Sequence, residues 1–578
     1  MPAKTPIVRL PLPFDQWSER YPFAESNPDI ARVLDGVKVP SQVVEEFRPL
    51  AECLEWRLSA LYWDTAGVMP FLDSEVPFLI NNTGRLSENV AALLFANCLD
   101  AGESLESEIR VVEFGAGTGL FARFMLDSFQ QICQQEGRDF YTRLRFLVTD
   151  RSPATLRQWE ERGVFRDHIE RVETLVCDAA SPEALLAKPV RAVFCNYLLD
   201  VLPSTVLKLA SDGEVLQLMV RTHLLRTGPA TDGEHLSLDE IRAHAASSEA
   251  GALHALLPLL NDLDMELAFQ PVPDPLRTDA EKCLAVAEGP APTVMNYGAL
   301  HTLHVVTRAL APGGFVLLND YGYVGGTETL QLPGTQRFGN TIALPLNFPV
   351  IEKLFASSQL EVLAAEGDER LGVHSRLLSG GAGTRTTEAY HSRFSEEAWK
   401  YFQEPVESAR RHLAARRLQE ALEAYQSALS RSPRNWELIG EVADFLAVHL
   451  RDFDASLQLA RAALERNPMY SSWLWNVLGD ALYCKNQFRE AHQAYLQAER
   501  IDPSDGRTNL NLAYTFLHFG EHQSALQAIA QGLSGDKRGL FRERLLDKQQ
   551  QALGAITSTH EAQQAALARR HQRFLDAT

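Results

Sequence analysis

The chain has 578 residues, of which 45% are hydrophobic and 22% are charged, and its formal net charge is -20. This length predicts more than one domain, and this composition is ordinary for a soluble globular protein. The negative charge argues against nucleic acid as a partner, because phosphates would be repelled, and arginine clusters such as Arg410 and Arg411 are interpreted as a solvated helix face.

The N-terminus and the cysteines favour a cytoplasmic protein. Residues 1–17 lack the apolar core of a signal peptide, and no run of about 18 apolar residues predicts a transmembrane helix. The seven cysteines are scattered and form no CxxC pair, which predicts a reducing compartment without a zinc or iron–sulfur site. His301 and His304 are three residues apart without a third ligand, so we expect no metal.

The N-terminal segment, residues 1–100, is predicted to be mostly helical. The stretch Val44–Trp63 is amphipathic, and a second helix is expected over Ser87–Cys98, after the turn-like residues 81–84. We therefore expect a helical segment in front of the main domain.

From Ile109 onward, short apolar strands alternate with helical stretches. The five clearest strands are Ile109–Phe114, Leu144–Thr149, Thr174–Cys177, Arg191–Cys195 and Phe315–Asn319, the last after a turn at 312–314. This alternation predicts an α/β Rossmann-like, doubly wound sheet over residues 101–395. Thr341–Leu346, Leu360–Ala364 and Val373–Leu378 are expected to be its last strands, with a helix near 349–357 and a glycine-rich loop or domain edge at 379–383.

The fourth and fifth strands are separated by an unusually long stretch, about residues 204–300, which includes an acidic, alanine-rich piece at 232–250. It is predicted to be a mostly helical insertion. Two interpretations stay open: it covers the active site, or it is a surface insertion without a role in catalysis.

A glycine loop follows the first strand and opens the next helix. Glycines at positions 115, 117 and 119 form a G-x-G-x-G pattern, preceded by Glu113. Glycines allow a sharp turn and a close approach to a ligand, and the N-terminus of a helix offers free N–H groups to an anion. Leu120 occupies the place of the last glycine of a dinucleotide fingerprint, so that fingerprint is not met.

Polar residues end the next three strands. Asp150 ends the second, Asp178 follows the third and Asn196 ends the fourth. Each acid alone also fits a helix N-cap or a turn. Because ligands of open α/β sheets bind at the carboxyl ends of strands, the three acids Glu113, Asp150 and Asp178 at successive strand ends together favour a cofactor site.

The segment EFGAGTG at 113–119 resembles motif I of class I S-adenosylmethionine-dependent methyltransferases. The resemblance implies that loop N–H groups bind the methionine carboxylate, that Asp150 binds the ribose hydroxyls and that Asp178 binds the adenine amino group. The cofactor-binding residues it implies are Glu113, Gly115, Ala116, Gly117, Asp150, Asp178 and Asn196, and the cofactor is S-adenosyl-L-methionine.

A narrower resemblance is to the MidA-type methyltransferases and covers about residues 75–330. Residues 195–203, CNYLLDVLP, are similar to that family's NE-F-DALP segment, and residues 318–323, LNDYGY, are similar to its IDYG segment. One member of the family methylates a protein arginine. The chain departs from the pattern with GAGTG in motif I, with Tyr197 in place of a glutamate, and with a C-terminal repeat array, so the resemblance implies the same chemistry rather than the same substrate.

Asp200, Asp320 and Tyr321 are the candidate catalytic residues, because they lie near predicted strand ends where the methyl group would be. A carboxylate there would bind a guanidinium through paired hydrogen bonds. With Tyr197 and Tyr323, Tyr321 would form a wall that favours a cation. The alternative is that Asp200 caps a helix and Asp320 holds a turn.

From about residue 400 the sequence repeats. Small residues recur 34, 36 and 34 positions apart, at Ala409, Ala443, Gly479 and Ala513, and again 12 positions after each of these. A bulky residue follows four positions later, at Tyr425, Leu459, Tyr495 and Ile529, and prolines close the first three units at Pro433, Pro468 and Pro503. This pattern matches the tetratricopeptide repeat (TPR) and predicts a helical solenoid over residues 400–578, with a capping helix over about 538–575.

The sequence therefore predicts a methyltransferase that acts on a protein side chain, with arginine among the candidate targets. The TPR array is predicted to recruit a protein or peptide partner, and a homodimer is a further option. The first alternative is a small-molecule O- or N-methyltransferase. The second is a non-catalytic scaffold that keeps the fold.

Overall fold

A computed structural model describes residues 41–72, 83–225, 236–247, 249–287, 292–325, 336–338, 341–356, 358, 360–536 and 539–577. These residues form two compact units, one that runs up to Trp399 and one that consists of residues 83–85 and the chain from Lys400. The predictions for residues 1–17 and for the first half of the turn at 81–84 lie outside the described residues.

The described strands, in chain order β1 to β16, are Ser41–Pro49, Ile109–Phe114, Leu144–Asp150, Val172–Val176, Val190–Asn196, Thr205–Leu209, Val215–Leu225, Leu263–Pro271, Thr293–Met295, Leu310–Asp320, Gly322–Tyr323, Gln336–Phe338, Thr341–Ala343, Leu346–Asn347, Glu361–Ala364 and His374–Ser379. The described α-helices, in chain order α1 to α21, are Leu54–Ala66, Met69–Leu72, Arg85–Ala101, Leu120–Gln135, Phe140–Arg143, Pro153–Arg162, Leu238–Ala246, Ala250–His254, Asp274–Val286, Tyr297–Arg308, Phe348–Ala356, Thr384–Phe394, Glu396–Ala414, Leu418–Arg431, Trp436–Phe445, Phe453–Arg466, Ser472–Cys484, Phe488–Ile501, Gly506–Phe519, His522–Gly535 and Arg542–Ala577.

Seven strands form the main sheet of the first unit, in the order β15-β16-β10-β5-β2-β3-β4. The pairs among β10, β5, β2, β3 and β4 are parallel, whereas β16 runs antiparallel to both of its neighbours. The chain order reverses between β2 and β5, which is the arrangement of a doubly wound sheet, and the predicted fold class is confirmed.

Both faces of this sheet are buried, as a parallel sheet requires. On one face Val193 and Cys195 of β5 pack in a cluster with Leu303 of α10 and Ile351 of α11. On the other face Phe194 contacts Phe121 of α4 edge to face, with ring centroids 5.6 Å apart. Successive residues of one strand therefore face opposite layers of helices.

The prediction of a mostly helical N-terminal segment is wrong for Val44–Pro49. These residues belong to β1, which pairs antiparallel with β7, and the helix begins only at Leu54. Pro49 lacks a backbone N–H and disfavours helical backbone at Arg48, so a helix could not run through these two positions without strain. The expected helix at Ser87–Cys98 lies within α3.

The insertion is also not mostly helical. Strands β6 to β9 lie within it, and together with β1 they form a second, five-stranded sheet. The long strand Val215–Leu225 pairs with three neighbours and accounts for much of the apolar content of the insertion. Helical spacing was a poor guide here because two-sided burial in a sheet hides the alternation that marks a strand.

The structure also corrects three smaller predictions of secondary structure. Residues 341–346, expected in the main sheet, instead supply β13 and the start of β14, each in a separate two-stranded pair. Residues 312–314, expected as a turn, lie inside β10 at a register irregularity against β5. The third predicted strand is Val172–Val176 and ends two residues before Asp178.

The second unit is built from helix pairs, α13–α14, α15–α16, α17–α18 and α19–α20, followed by the long helix α21. The repeat positions of the sequence fall where the helices cross: Ala409, Ala421, Ala443 and Ala491 are fully buried. At Gly479 a Cβ would overlap the ring of Tyr495, so only glycine lets α17 approach α18 this closely. Among the described helices, none is both long and apolar enough to span a bilayer.

Candidate active site

The glycine loop between β2 and α4 takes the conformation that its sequence predicts. Gly115, Gly117 and Gly119 all have left-handed backbone, with φ of 62°, 53° and 74°. A Cβ at Gly117 would lie 2.9 Å from the ring of Phe71, and one at Gly115 would lie 2.7 Å from Leu198. The loop is therefore closely surrounded on both sides, and side chains larger than glycine do not fit there.

Asp150 holds this loop from the end of β3. Its Oδ2 accepts a hydrogen bond of 3.0 Å from the N–H of Gly117, and its Oδ1 accepts one of 2.9 Å from Ser152. Burial raises the pKa of Asp150 to about 6, although these two N–H donors oppose the rise. Asp178, beyond the end of β4, accepts a 2.9 Å bond from the N–H of Ala180.

Glu113 and Asn196 lie beneath the loop. Glu113 is buried at the end of β2, and burial raises its pKa to about 8, with the Asn196 side chain opposing the rise and Asp150 adding to it. Asn196 accepts a 2.8 Å hydrogen bond from Asn319 on the neighbouring strand. Both residues support the loop from within the sheet.

A cavity of about 310 Å³ opens above these strand ends. That volume is at the lower end of the range for small-molecule sites. Of the predicted site residues, those that line it are Gly115, Gly117, Asp150, Asp178, Asp200 and Tyr321, whereas Glu113, Ala116, Asn196 and Asp320 do not. The structure thus brings six of the ten to one cavity and puts the other four behind its wall.

The sequence analysis missed the side of the cavity formed by the N-terminal segment. Trp56, Ser59 and Trp63 of α1 line it, together with Phe71 of α2 and Ile342 of β13. Trp63 and Phe71 contact each other with ring centroids 5.4 Å apart. Two tryptophans in one amphipathic helix were the available signal, but their partners are far away in the chain.

The insertion supports this wall without lining the cavity. No described residue between 204 and 300 lines it. Instead Trp56 packs in a cluster with Val206, Leu218 and Val294 of the second sheet. The described part of the insertion therefore packs behind the wall of the cavity and does not cover the cavity itself.

Asp200 and Asp320 have different environments although both are buried. Asp320, at the end of β10, accepts hydrogen bonds from the N–H groups of Leu199 at 2.8 Å and Tyr321 at 2.9 Å, as well as two longer ones. It holds the turn after β5, as the structural alternative proposed. Asp200 lines the cavity, and burial followed by the nearby Asp320 carboxyl raises its pKa well above the usual value.

Tyr197 and Tyr321 form an aromatic pair beside Asp200. Their ring centroids are 5.2 Å apart, and both line the cavity. Tyr323, which the sequence grouped with them, does not line the cavity. Of the three tyrosines predicted to form a cation-friendly wall, two therefore line the cavity.

The two predicted histidines lie elsewhere. His301 is exposed and makes a 3.1 Å contact to Glu183. Within the part of the chain that the structure describes, no three His, Cys, Asp or Glu side chains cluster as a metal site would require.

Comparison with known proteins identifies the chemistry. Residues 90–348 match the family model described as "Putative S-adenosyl-L-methionine-dependent methyltransferase". The match covers just under half of the chain, and this part is similar to the S-adenosylmethionine-dependent methyltransferases. The methyltransferase is followed by a match to the tetratricopeptide repeat model over residues 406–472 and 476–537. The predicted family, enzyme class, cofactor and repeats are confirmed.

Each of the similar solved structures matches only part of the methyltransferase, either its first unit or its repeats. An uncharacterized protein from Burkholderia thailandensis is 15% identical, over 65% of this chain and 97% of its own, with a TM-score of 0.39. A protein from the same organism, bound to S-adenosyl-homocysteine, is 14% identical. The match covers 66% of this chain and 97% of that protein, with a TM-score of 0.39. A TPR protein of Thermus thermophilus is 20% identical. The match covers 28% of this chain and 90% of that protein, with a TM-score of 0.24. No curated protein sequence matches the chain.

The cavity suits S-adenosylmethionine, which supplies a methyl group on a sulfonium. The glycine loop carries no side chain at positions 115 and 117, where it lines the cavity, and the carboxyls of Asp150 and Asp178 follow neighbouring strands, where they can accept hydrogen bonds from hydroxyl and amino groups. The residues of this chain thus fit the group that its family uses.

Proposed function

We propose that this methyltransferase modifies a side chain of a protein substrate, with arginine as the first candidate, and that the TPR unit recruits that substrate. The observation that carries the proposal is the buried carboxyl of Asp200 beside two tyrosines at the wall of a small cavity. A carboxyl and two aromatic rings at one wall are groups that bind a cationic side chain.

Asp200 would orient the acceptor. Its raised pKa favours the protonated carboxyl when the cavity holds no cation. A guanidinium beside it would lower that pKa again, because a positive charge favours the carboxylate. The pair could then form two parallel hydrogen bonds, while Trp63 and Phe71 keep water from the reacting atoms.

The repeats support recruitment through a polar network that joins their first helices. Arg410 of the first repeat pairs with Glu441 of the second at 2.7 Å. Arg507 of the fourth contacts Asp480 of the third at 2.7 Å and Asp444 of the second at 3.3 Å. Carboxylates outnumber guanidinium groups along this row, which favours a partner segment with basic side chains.

The proposal is tested by incubating the protein and a cell extract with S-adenosylmethionine labelled in its methyl group. Three proteins are compared: the full chain, a chain ending at Trp399, and the full chain with Asp200→Asn. We expect label in a protein band with the full chain, loss of that band with the shortened chain, and a reduction of about 100-fold with Asp200→Asn, as for loss of a group that positions the acceptor.

Cofactor binding, measured by calorimetry on all three proteins, serves as the control for folding. Label that appears only in small molecules would favour an O- or N-methyltransferase of metabolites. Tight cofactor binding without transfer to any acceptor would favour a non-catalytic scaffold. Label that does not depend on the repeats would remove the recruitment part of the proposal.

The proposal includes a cytoplasmic location and leaves a homodimer as an option. Its support is that all seven cysteines are unpaired, six of them shielded at least in part and one, Cys484, exposed. Unpaired thiols of this kind are typical of a reducing compartment.

A further inference from the structure

Tyr197 has a backbone conformation that its residue type disfavours. It lies directly after β5 with φ of 50°, in the left-handed region. Glycine, and to a lesser degree asparagine, occupies this region readily, but a tyrosine there is uncommon because its Cβ crowds the backbone. Strain of this kind persists where the surroundings enforce it, and it concentrates at functional sites.

The surroundings of Tyr197 do enforce it. Its N–H donates a 2.9 Å hydrogen bond to the carbonyl of Asn319. The N–H groups of the next three residues all point at one oxygen of Asp320, at 3.2, 2.8 and 3.4 Å for Leu198, Leu199 and Asp200. A glycine at position 197 would satisfy all these hydrogen bonds without strain, so the backbone alone does not explain the tyrosine.

The side chain gives the explanation. The left-handed turn directs the ring of Tyr197 to the cavity wall, against Tyr321 at 5.2 Å, and the two side chains are hydrogen-bonded to each other. In the sheet order, the strands ending near Asp178, Asp150 and Gly115 come first, and those ending at the two tyrosines follow. A cofactor bound across the first three strands therefore has the tyrosine pair as its next neighbour.

We propose that Tyr197 is a specificity-determining residue that, with Tyr321, binds the positively charged sulfonium of S-adenosylmethionine in preference to the neutral sulfur of S-adenosyl-homocysteine. An aromatic face attracts a cation without a carboxylate. Of the carboxyls nearby, that of Asp320 accepts hydrogen bonds from four backbone N–H groups and does not line the cavity. The pair thus favours release of the product, and the left-handed backbone of Tyr197 places its ring in the pair.

The test is the ratio of the two dissociation constants, S-adenosyl-homocysteine over S-adenosylmethionine, measured by calorimetry on the full chain. We expect Tyr197→Ala and Tyr321→Ala each to lower this ratio about tenfold, and Tyr197→Phe, which keeps the ring, to leave it within about twofold. Sinefungin, with an ammonium group in place of the sulfonium, should lose affinity in the alanine variants as S-adenosylmethionine does. That result separates the effect of the positive charge of the ligand from the effect of the size of its methyl group.

Thermal unfolding tests the strain separately. We expect Tyr197→Gly to melt about 1–3 °C above Tyr197→Ala, the reverse of the ordinary order of glycine and alanine, because only glycine relieves the left-handed backbone. Arg451, with φ of 54° in the repeats, provides the matched control. The pair Arg451→Gly and Arg451→Ala should show the same order of melting temperatures with an unchanged ratio of dissociation constants.

An unchanged ratio in Tyr197→Ala, or an alanine variant more stable than the glycine variant, would overturn the inference. The inference rests on the cofactor part of the proposed function and not on its protein substrate. If the wild-type chain binds neither ligand, the proposed function fails. If it binds both and the variants discriminate as wild type does, only the role of Tyr197 fails.

Discussion

At the scale of single residues, the motif residues separate into those that face the cavity and those that hold its wall. Asp150 does both, since it lines the cavity and binds the N–H of Gly117. Asp320 and Glu113 are buried without lining it. The motif predicted which residues gather at the strand ends. It did not predict which of them face inward, because that depends on how far each strand extends relative to its neighbours.

The buried carboxyl of Glu113 predicts a pH dependence of stability. Its pKa is about 8 in the folded protein and near 4.5 when the chain is unfolded. Between these values the folded state holds the proton more tightly, so rising pH favours unfolding and the stabilisation present at low pH is lost by about pH 8. The substitution Glu113→Gln removes the contribution of this carboxyl to the pH dependence of stability.

We expect the fall in melting temperature of the methyltransferase unit between pH 5.5 and pH 8 to be about 3 °C smaller in Glu113→Gln than in wild type, measured by calorimetry. Glu170→Gln is the control, because that side chain is 81% exposed. Equal slopes in wild type and Glu113→Gln would show that Glu113 does not titrate in this range.

At the scale of elements, sequence spacing was reliable for the strands of the main sheet and for the repeats. It failed for β1 and for the insertion, where strands pair with partners far away in the chain, as Ser41 does with Leu225. A short amphipathic segment fits a helix or a buried strand equally well, and only its partner decides.

The crossing of α17 and α18 gives a prediction about packing. Gly479→Ala would place a methyl group in overlap with the ring of Tyr495, which is held in place by its hydrogen bond to Asp480. We expect a loss of about 1–3 kcal/mol in the stability of the repeat unit, as for other overpacked cores.

Gly554→Ala, in the capping helix α21, is the matched control. No atom lies within 4 Å of its added Cβ, so helix propensity alone acts, and a gain of about 0.5–1 kcal/mol is expected. Urea unfolding followed by circular dichroism measures both variants. The same sign for the two would contradict the close approach of α17 to α18.

At the scale of the whole molecule, the chain contains two compact units with separate cores. A ligand stabilises the unit that binds it by mass action. We therefore expect two thermal transitions, of which S-adenosyl-homocysteine at about 100 times its dissociation constant raises only one, by about 3 °C.

Scanning calorimetry of the full chain provides the measurement, and Gly479→Ala assigns the transitions, because it should lower only the one that the ligand leaves unchanged. A single transition shifted by both the ligand and the variant would show that the two units unfold together.

The sequence by itself determined the fold class, the repeats and the cofactor. Glycines with left-handed backbone, acids at strand ends and a 34-residue period are local patterns, and local backbone chemistry is enough to produce them. Only the tertiary structure decided that α1 and α2 form a wall of the cavity, that the insertion supports that wall as a sheet, and that Asp200 rather than Asp320 faces the cavity. Each of these depends on contacts between residues far apart in the chain, which burial and strand pairing select and no local pattern records.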